Sequence, residues 1–388
     1  MKYRLLDLIV CPYCSKRLSL KVLAEKKNHY LVSKKNRCKI CTFKKKEACK
    51  ECFNTEITEA ILECSCRRIY PVIRGIPRML PDDFMNDFLE KEVDFAERYR
   101  HYLKGSNRKI KDDHKNIKKS TVERFGYEWK NFSKLYESYE NQFLDWIYPV
   151  NQHFFAGKLV LDAGCGTGRH AYYSAKYGAE TVAFDFSDSV EVAYKNTLKF
   201  PLVHIIHADI YNMPFRAGRF DYAYCIGVLH HLPGPKQAFD NLVSKIKKGG
   251  TISVWVYGKE GNYLLKLMDP IRKQVISKLP IGLTYKLSFI AMLGIHPLTK
   301  LIYKPMNSSK STRKIAEKIL PQNSFFNYLG NFKFEQNHSI LFDQLLAPIA
   351  FYYTKQEFER WFDKPCLSDV KITWRNKNSW RGMAVKWQ

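Results

Sequence analysis

Residues 158–168 read KLVLDAGCGTG, and no other stretch narrows the fold as much. A short apolar run, Leu159 to Leu161, enters three alternating glycines, Gly164, Gly166 and Gly168, and the helix-like RHAYYSAKYG follows. Strand, glycine turn and helix form the first unit of a doubly wound α/β sheet, whose ligand sits at the carboxyl ends of the strands. Glycines are needed because the backbone must turn sharply and approach a ligand with no Cβ in the way. The spacing departs from the dinucleotide pattern G-x-G-x-x-G, since the third glycine comes one residue early. Further runs continue the sheet. TVAFDF carries Asp185 at its end, LVHIIHAD ends in Asp209 before IYNMPF, RFDYAYCIGV leads to LHHL, and GTISVWVYG follows Lys248-Gly249-Gly250.

LDAGCGTG, FDFS, ADIYNMPF, VLHHL and KKGG, in that order over residues 158–258, resemble the class I S-adenosylmethionine (SAM)-dependent methyltransferases. The resemblance implies a seven-stranded Rossmann-like sheet and SAM as cofactor. It implies that Gly164, Gly166 and Gly168 line the methionine part of SAM and that Asp162 orients its amino end. Asp185 would then bind the ribose and Asp209 the adenine amino group, with Ile210 beside the ring. VLHHL and NMPF are similar to the subgroup that methylates small molecules, quinone-biosynthesis enzymes among them. The Asn/Asp-Pro-Pro-aromatic motif of enzymes acting on exocyclic nitrogens is replaced here by Ile226-Gly227-Val228-Leu229, which argues against that chemistry.

The eleven cysteines divide the chain. Cys11-Pro-Tyr-Cys14, Cys38-Lys-Ile-Cys41, Cys49-Lys-Glu-Cys52 and Cys64-Ser-Cys66 are paired so that one tight turn aims two thiolates at one metal, and two such turns complete a tetrahedron. Two structural zinc ions are expected. In the favoured nested pairing, Cys11, Cys14, Cys64 and Cys66 form one site and the middle four cysteines another; an interleaved pairing is the alternative. LLDLIVCPYC and LECSCRRIYPVIRGIPRML resemble the small zinc-binding family that activates tRNA and protein methyltransferases, with residues 21–60 as an insertion. Glu63 stands where that pattern has a cysteine, and Cys64 is displaced by one. Apolar Leu5, Leu6, Ile9, Ile76 and Leu80 are many for so small a domain, so part of this surface is expected to dock on the catalytic domain or a second copy.

The expected domains are a zinc module over 1–80, a helical and charged linker over 81–120, whose polar part is 104–119, and the methyltransferase domain over 121–388. Thr354-Lys-Gln-Glu357 is a capping box that starts the helix EFERWF, with Phe358, Trp361 and Phe362 on one face. LSDVKITWRN and SWRGMAVKWQ read as a terminal hairpin. Residues 259–350 are then an insertion, apolar, aromatic and broken by prolines, and read as a helical cap over the substrate side; a packing subdomain or dimer interface is the alternative. Upstream, RFGYEWKNF offers Arg124, Tyr127 and Trp129 as lid residues over the cofactor, or as packing on a surface helix.

Lys and Arg number 64 against 38 acids, a formal charge of +26, and residues 15–50 hold thirteen basic and two acidic residues. Such charge concerns solubility and anionic partners, RNA or a membrane surface, rather than fold. The longest apolar run, Leu287 to Ile295, falls short of the ~18 residues of a spanning helix, and the N-terminus lacks a signal-peptide cleavage site. A cytoplasmic protein without a transmembrane segment is expected. His230 and His231 follow the fourth strand of the sheet, where a base of pKa near 7 would suit an oxygen acceptor; packing under the cap is the other role open to them. The leading expectation is methyl transfer to a small-molecule, glycan or lipid-like acceptor. The alternatives are an RNA or protein methyltransferase using the basic zinc module, and a non-catalytic zinc- and nucleic-acid-binding adaptor.

Overall fold

The structure, a computed structural model, describes residues 1–28, 53–103 and 114–387, the side chains of 263–268 excepted. Cys38, Cys41, Cys49 and Cys52 lie outside the described residues, and with them the expected second metal site.

Four parallel strands centre the molecule: β5 (Leu159–Ala163), β6 (Glu180–Asp185), β7 (Val203–Ala208) and β8 (Phe220–Ile226). They are near-continuous apolar runs, as parallel strands covered on both faces must be; every residue of β7 is buried. β9 (Ile246–Tyr257) adds in parallel beside β8. The terminal hairpin, β10 (Leu367–Arg375) and β11 (Ser379–Lys386), completes that side, with β11 antiparallel to β9 from Ser379↔Tyr257 to Val385↔Thr251. The capping box holds in both directions, Thr354 to the Glu357 amide and Glu357 back to the Thr354 amide, and Phe358, Trp361 and Phe362 are buried against this end.

The other edge of the sheet is extended by the N-terminal segment. β1 (Leu18–Lys27), β2 (Thr55–Cys64), β3 (Ile69–Ile73) and β4 (Ile76–Met79) form an antiparallel meander, and β4 then pairs in parallel with β7, Arg78 opposite His207 and Met79 opposite Ala208. One eleven-stranded sheet results, ordered β1-β2-β3-β4-β7-β6-β5-β8-β9-β11-β10. The expected zinc module is therefore continuous with the catalytic sheet. Leu5, Ile9 and Leu80 join one apolar cluster with Ile206, Ala208, Ile210 and Phe215, while Ile76 packs with Ala183, Val190 and Ile205. Leu6 is only partly buried.

Polar contacts pin the same junction. Arg4 reaches β6 with two bonds to Glu180, at 2.8 and 3.1 Å. Arg78 is fully buried, paired with Glu191 and bonded to the Ile73 carbonyl at 3.2 Å. The β3–β4 turn, Arg74-Gly75, has positive φ at both residues, as tight hairpins require. A Cβ on Gly75 would stand 2.7 Å from the Tyr194 hydroxyl, so this turn is wedged against the catalytic helices.

The described parts of the segment expected as a helical, charged linker are helical and packed on the core. Asp82–Leu89 and Val93–Arg98 are helices, with Met85, Phe88 and Phe95 buried, and a further helix, Lys115–Asn131, takes in the end of the expected polar stretch. Between β9 and the capping-box helix, residues 263–346 form successive helices; the longest, Ile281–Leu298, packs along Phe334–Leu346.

Candidate active site and metal centre

The glycine turn is built as its residue types demand. Gly164, Gly166 and Gly168 have φ of +75°, +51° and +75°. A Cβ on Gly164 would lie 2.3 Å from the Val228 side chain, and one on Gly166 3.1 Å from the Trp129 indole nitrogen. Asp185, at the end of β6, holds the turn: one carboxylate oxygen accepts from the Gly166 amide at 2.9 Å, the other from the Ser187 amide and hydroxyl at 2.8 and 2.7 Å. Asp209, after β7, accepts from the Tyr211 amide at 3.0 Å and pairs with Lys118 at 3.2 Å.

These groups open into a cavity of about 450 Å³. Gly164, Gly166, Asp185, Asp209 and Ile210 line one end. The Lys115–Asn131 helix covers it with Lys118, Thr121, Val122, Phe125, Glu128 and Trp129, spaced three or four apart on one face. Of the expected lid residues, Trp129 lines the cavity. Arg124 instead bonds the Ser277 and Leu279 carbonyls, and Tyr127 packs on Tyr285 and Phe342, so both tie the lid to the cap. The cap closes the far side with Met292, Ile295, Phe325, Phe326, Leu329 and Phe332.

Gly168 and Asp162 also fall outside this lining. Gly168 does not border the cavity; its positive φ starts the Arg169–Lys176 helix, against Ala193. Asp162 is 1% exposed and also absent from the lining. Side chains alternate along a strand, and Asp162 falls on the Val160 side of β5, beside the Tyr224 hydroxyl, rather than towards the turn. Burial pushes its carboxyl up to about 8, and one carboxylate oxygen has no partner.

The paired histidines separate in the same way. His230 is wedged between Trp255, Tyr257 and His231, with no partner on either ring nitrogen and no access to the cavity, so the expected catalytic role is corrected for it. His231 does line the cavity. Its Nδ1 lies 2.7 Å from the Ile349 carbonyl, which can only accept, so Nδ1 carries the proton and Nε2 presents a lone pair. Nε2 has no partner among the described residues, and burial lowers the ring's pKa, keeping it neutral.

Two further groups in the lining escaped sequence reasoning. Glu128 is fully buried; burial, then the Asp343 charge, raises its carboxyl well above the ordinary range, and one oxygen accepts from Ser339 at 3.2 Å while the other is unpartnered. Arg169, the first residue after the glycine turn, lies 5.2, 5.1 and 5.4 Å from the ring centres of Trp129, Tyr139 and Trp146. Its position after the third glycine was the only available signal; a glutamate within a charged helix gives none.

The second site is the cysteine cluster. The sulfurs of Cys11, Cys14, Cys64 and Cys66 all lie within 4.8 Å of one another, with Cys11 and Cys66 3.7 Å apart and Cys14 and Cys64 3.3 Å apart. Tetrahedral zinc with bonds of about 2.3 Å places its sulfurs about 3.8 Å apart, so the donor set fits that ion. Cys64 ends β2 facing inward, while its neighbour Glu63 is exposed, which explains how a one-residue displacement still delivers a thiol.

Residues 161–254 match the methyltransferase domain family. Curated relatives include a ubiquinone biosynthesis O-methyltransferase of Coxiella burnetii, 35% identical over 107 residues, which are 27% of this chain and 46% of that one. A demethylmenaquinone methyltransferase of Clavibacter sepedonicus is 33% identical over 100 residues, covering 26% and 41%. Among solved structures, magnesium protoporphyrin IX methyltransferase of Synechocystis aligns over 72% of this chain and all of its own, with 12% identity and a TM-score of 0.40. The chain spans 33% and 46% of the length of the first two curated relatives it matches. Glycine turn and matched residues agree in supporting a class I SAM-dependent methyltransferase over residues 161–254.

Proposed function

We propose that this protein transfers a methyl group from SAM to an oxygen of a small, apolar, lipid-like acceptor enclosed under the cap. The carrying observation is one cavity that runs from Gly164, Gly166 and Asp185 to an aromatic and aliphatic cap wall, with His231 on its lining. The cofactor fits on physical grounds: Gly164 and Gly166 border the cavity with bare backbone, and Asp185 and Asp209 offer acceptors at the ends of two adjacent strands. Bound SAM supplies an electrophilic methyl group on its sulfonium. The Asp185 carboxylate accepts from the ribose hydroxyls, Asp209 from the adenine amino group, and Ile210 packs on the ring. The Arg169 guanidinium supplies the positive charge for the methionine carboxylate. His231 receives the acceptor's proton at Nε2, while the Ile349 carbonyl holds its tautomer. Much of the rate comes from holding acceptor and methyl in line in a closed space. The names of the relatives in ubiquinone and menaquinone biosynthesis point to quinone-type acceptors, which suit the apolar wall.

Labelled SAM should be offered with a short-chain hydroxylated quinol, a sugar and an RNA. Label in the quinol supports the reading, and label confined to RNA or protein overturns it. For the cofactor, Asp185→Ala should weaken SAM by about 1–3 kcal/mol, because it leaves buried donors unpaired. Titration calorimetry reads this, and an unchanged affinity would remove Asp185 from the ribose site.

The Cys11, Cys14, Cys64 and Cys66 cluster is assigned to a structural zinc ion, since four thiolates leave no open position for substrate. With the second set, Cys38, Cys41, Cys49 and Cys52, about two zinc ions per chain are expected. Elemental analysis of Cys64→Ser should lose one of them. Equal metal content in the variant and the parent protein would disprove the assignment.

A further inference from the structure

The Ile281–Leu298 helix is built inside out. Its buried stripe carries Thr284, Ser288 and Met292, continued by Thr299 and Tyr303 in the next turns. Ser288 bonds the His338 ring at 2.9 Å, and Asn337 bonds His296 at 3.0 Å, so this polar stripe is fastened to the Phe334–Leu346 helix. The opposite face is aliphatic and in the open: Leu283, Leu287, Ile290, Leu293, Leu298 and Leu301, with Ile290 at 64% and Leu301 at 75% exposure. Helices of water-soluble proteins place these two faces the other way round.

The patch is wider than one helix. Of twenty exposed large hydrophobic residues among those described, twelve lie between Ile271 and Ile319. Contiguous exposed apolar surface of this kind marks an interaction site. The same region is strongly basic: residues 271–320 contain ten Lys or Arg and one acid, Glu317. Lys278, Lys286, Lys304, Lys310, Lys314 and Lys318 are all exposed.

We infer that this outer face of the cap docks on a lipid bilayer bearing anionic headgroups. Aliphatic side chains enter the acyl boundary while lysines meet the headgroups, the pattern of a helix lying in the interface plane. A second copy of the chain is disfavoured because it would bring two equally basic faces together. Spanning is disfavoured too. Continuous helix over Ile281–Met306 is long and apolar enough to cross a membrane, although Lys286, His296 and Pro297 break the apolar run in sequence. One stripe is nevertheless bound to protein, so lipid cannot surround it. Met292 and Ile295 of the same helix line the cavity, so its two sides face the proposed bilayer and the site. Docking itself does not rest on the identity of the acceptor.

The full-length protein should be sedimented with vesicles of neutral phosphatidylcholine, and with vesicles carrying about 30% phosphatidylglycerol. Binding is expected to the anionic vesicles and to weaken on the neutral ones. The triple variant Leu287→Glu, Ile290→Glu, Leu293→Glu alters only exposed positions and should bind at least about tenfold less, with unchanged SAM affinity and melting temperature. The inference is overturned if the parent protein stays in the supernatant. It is equally overturned if the triple variant binds like the parent, which would credit the basic 15–50 stretch alone. A vesicle-independent dimer that the triple variant dissociates, without vesicle binding by the parent, would assign the face to a second copy.

Discussion

A chain beginning at residue 120 is expected to be largely insoluble, or to melt far below the full protein. Its removal list is specific. β7 would lose its parallel neighbour β4 and become an edge, although all six of its residues are buried and apolar or histidine. Such an edge is a template for aggregation. Ile76, Met79, Met85 and Phe88, each buried, would be taken from the core they share with the sheet and its helices. Four side chains of this size contribute about 6–12 kcal/mol, comparable with the whole stability of a typical domain, about 5–15 kcal/mol. Glu191 would also lose the Arg78 guanidinium that holds its carboxyl below the ordinary range, and Glu180, held down chiefly by His204, would lose the further contribution of Arg4. Soluble yield and thermal melting of residues 120–388 against the full chain decide the matter. If the shorter chain is soluble and melts at the same temperature, the N-terminal strands are an ornament on a self-sufficient sheet.

That dependence was only half visible in the sequence. The surplus of apolar residues around Leu5, Ile9, Ile76 and Leu80 signals docking, because a small zinc-bound segment has no use for them alone. The partner strand does not show. β4 is four residues long, contains Pro77, and pairs with residues some 129 positions away, Arg78 with His207; nothing local encodes that register. The glycine turn was legible because its positive φ values admit little else. The capping box was legible because two side chains satisfy each other's backbone. That Asp162 falls outside the cavity lining was not legible, because strand alternation decides its side and a motif letter carries no direction. The cap helix was only partly legible: a charge, a histidine and a proline interrupt its apolar run in sequence, while the helix itself runs on through them from Ile281 to Met306, with Leu283, Leu287, Ile290 and Leu293 exposed.

Replacing His231 tests the chemistry most directly. His231→Gln should lower kcat by about 10²–10⁴-fold, the usual contribution of a positioned general base, while SAM affinity stays within about twofold because the cofactor groups lie elsewhere on the cavity wall. Two details make the expectation specific to this residue. The Ile349 carbonyl accepts from Nδ1 at 2.7 Å, which leaves Nε2 as the basic nitrogen, and Nε2 has no competing donor among the described residues. Burial lowers the ring's pKa, with the Arg272 charge acting in the same direction and Asp343 opposing it. A base is active when deprotonated, so the acidic limb of the rate profile should lie below the ordinary histidine value near 6.5. Activity should therefore survive mild acidification and fall only below that value. Asp343→Asn removes a negative charge that favours the protonated ring, and should move the limb to still lower pH. His230→Gln is the control. Its ring reaches no cavity atom, so it should leave the position of the limb unchanged, whatever it does to stability. If His231→Gln retains full turnover on the native acceptor, or if the limb moves with His230 instead, the acceptor needs no base at Nε2. The site would then work by alignment of methyl and acceptor alone.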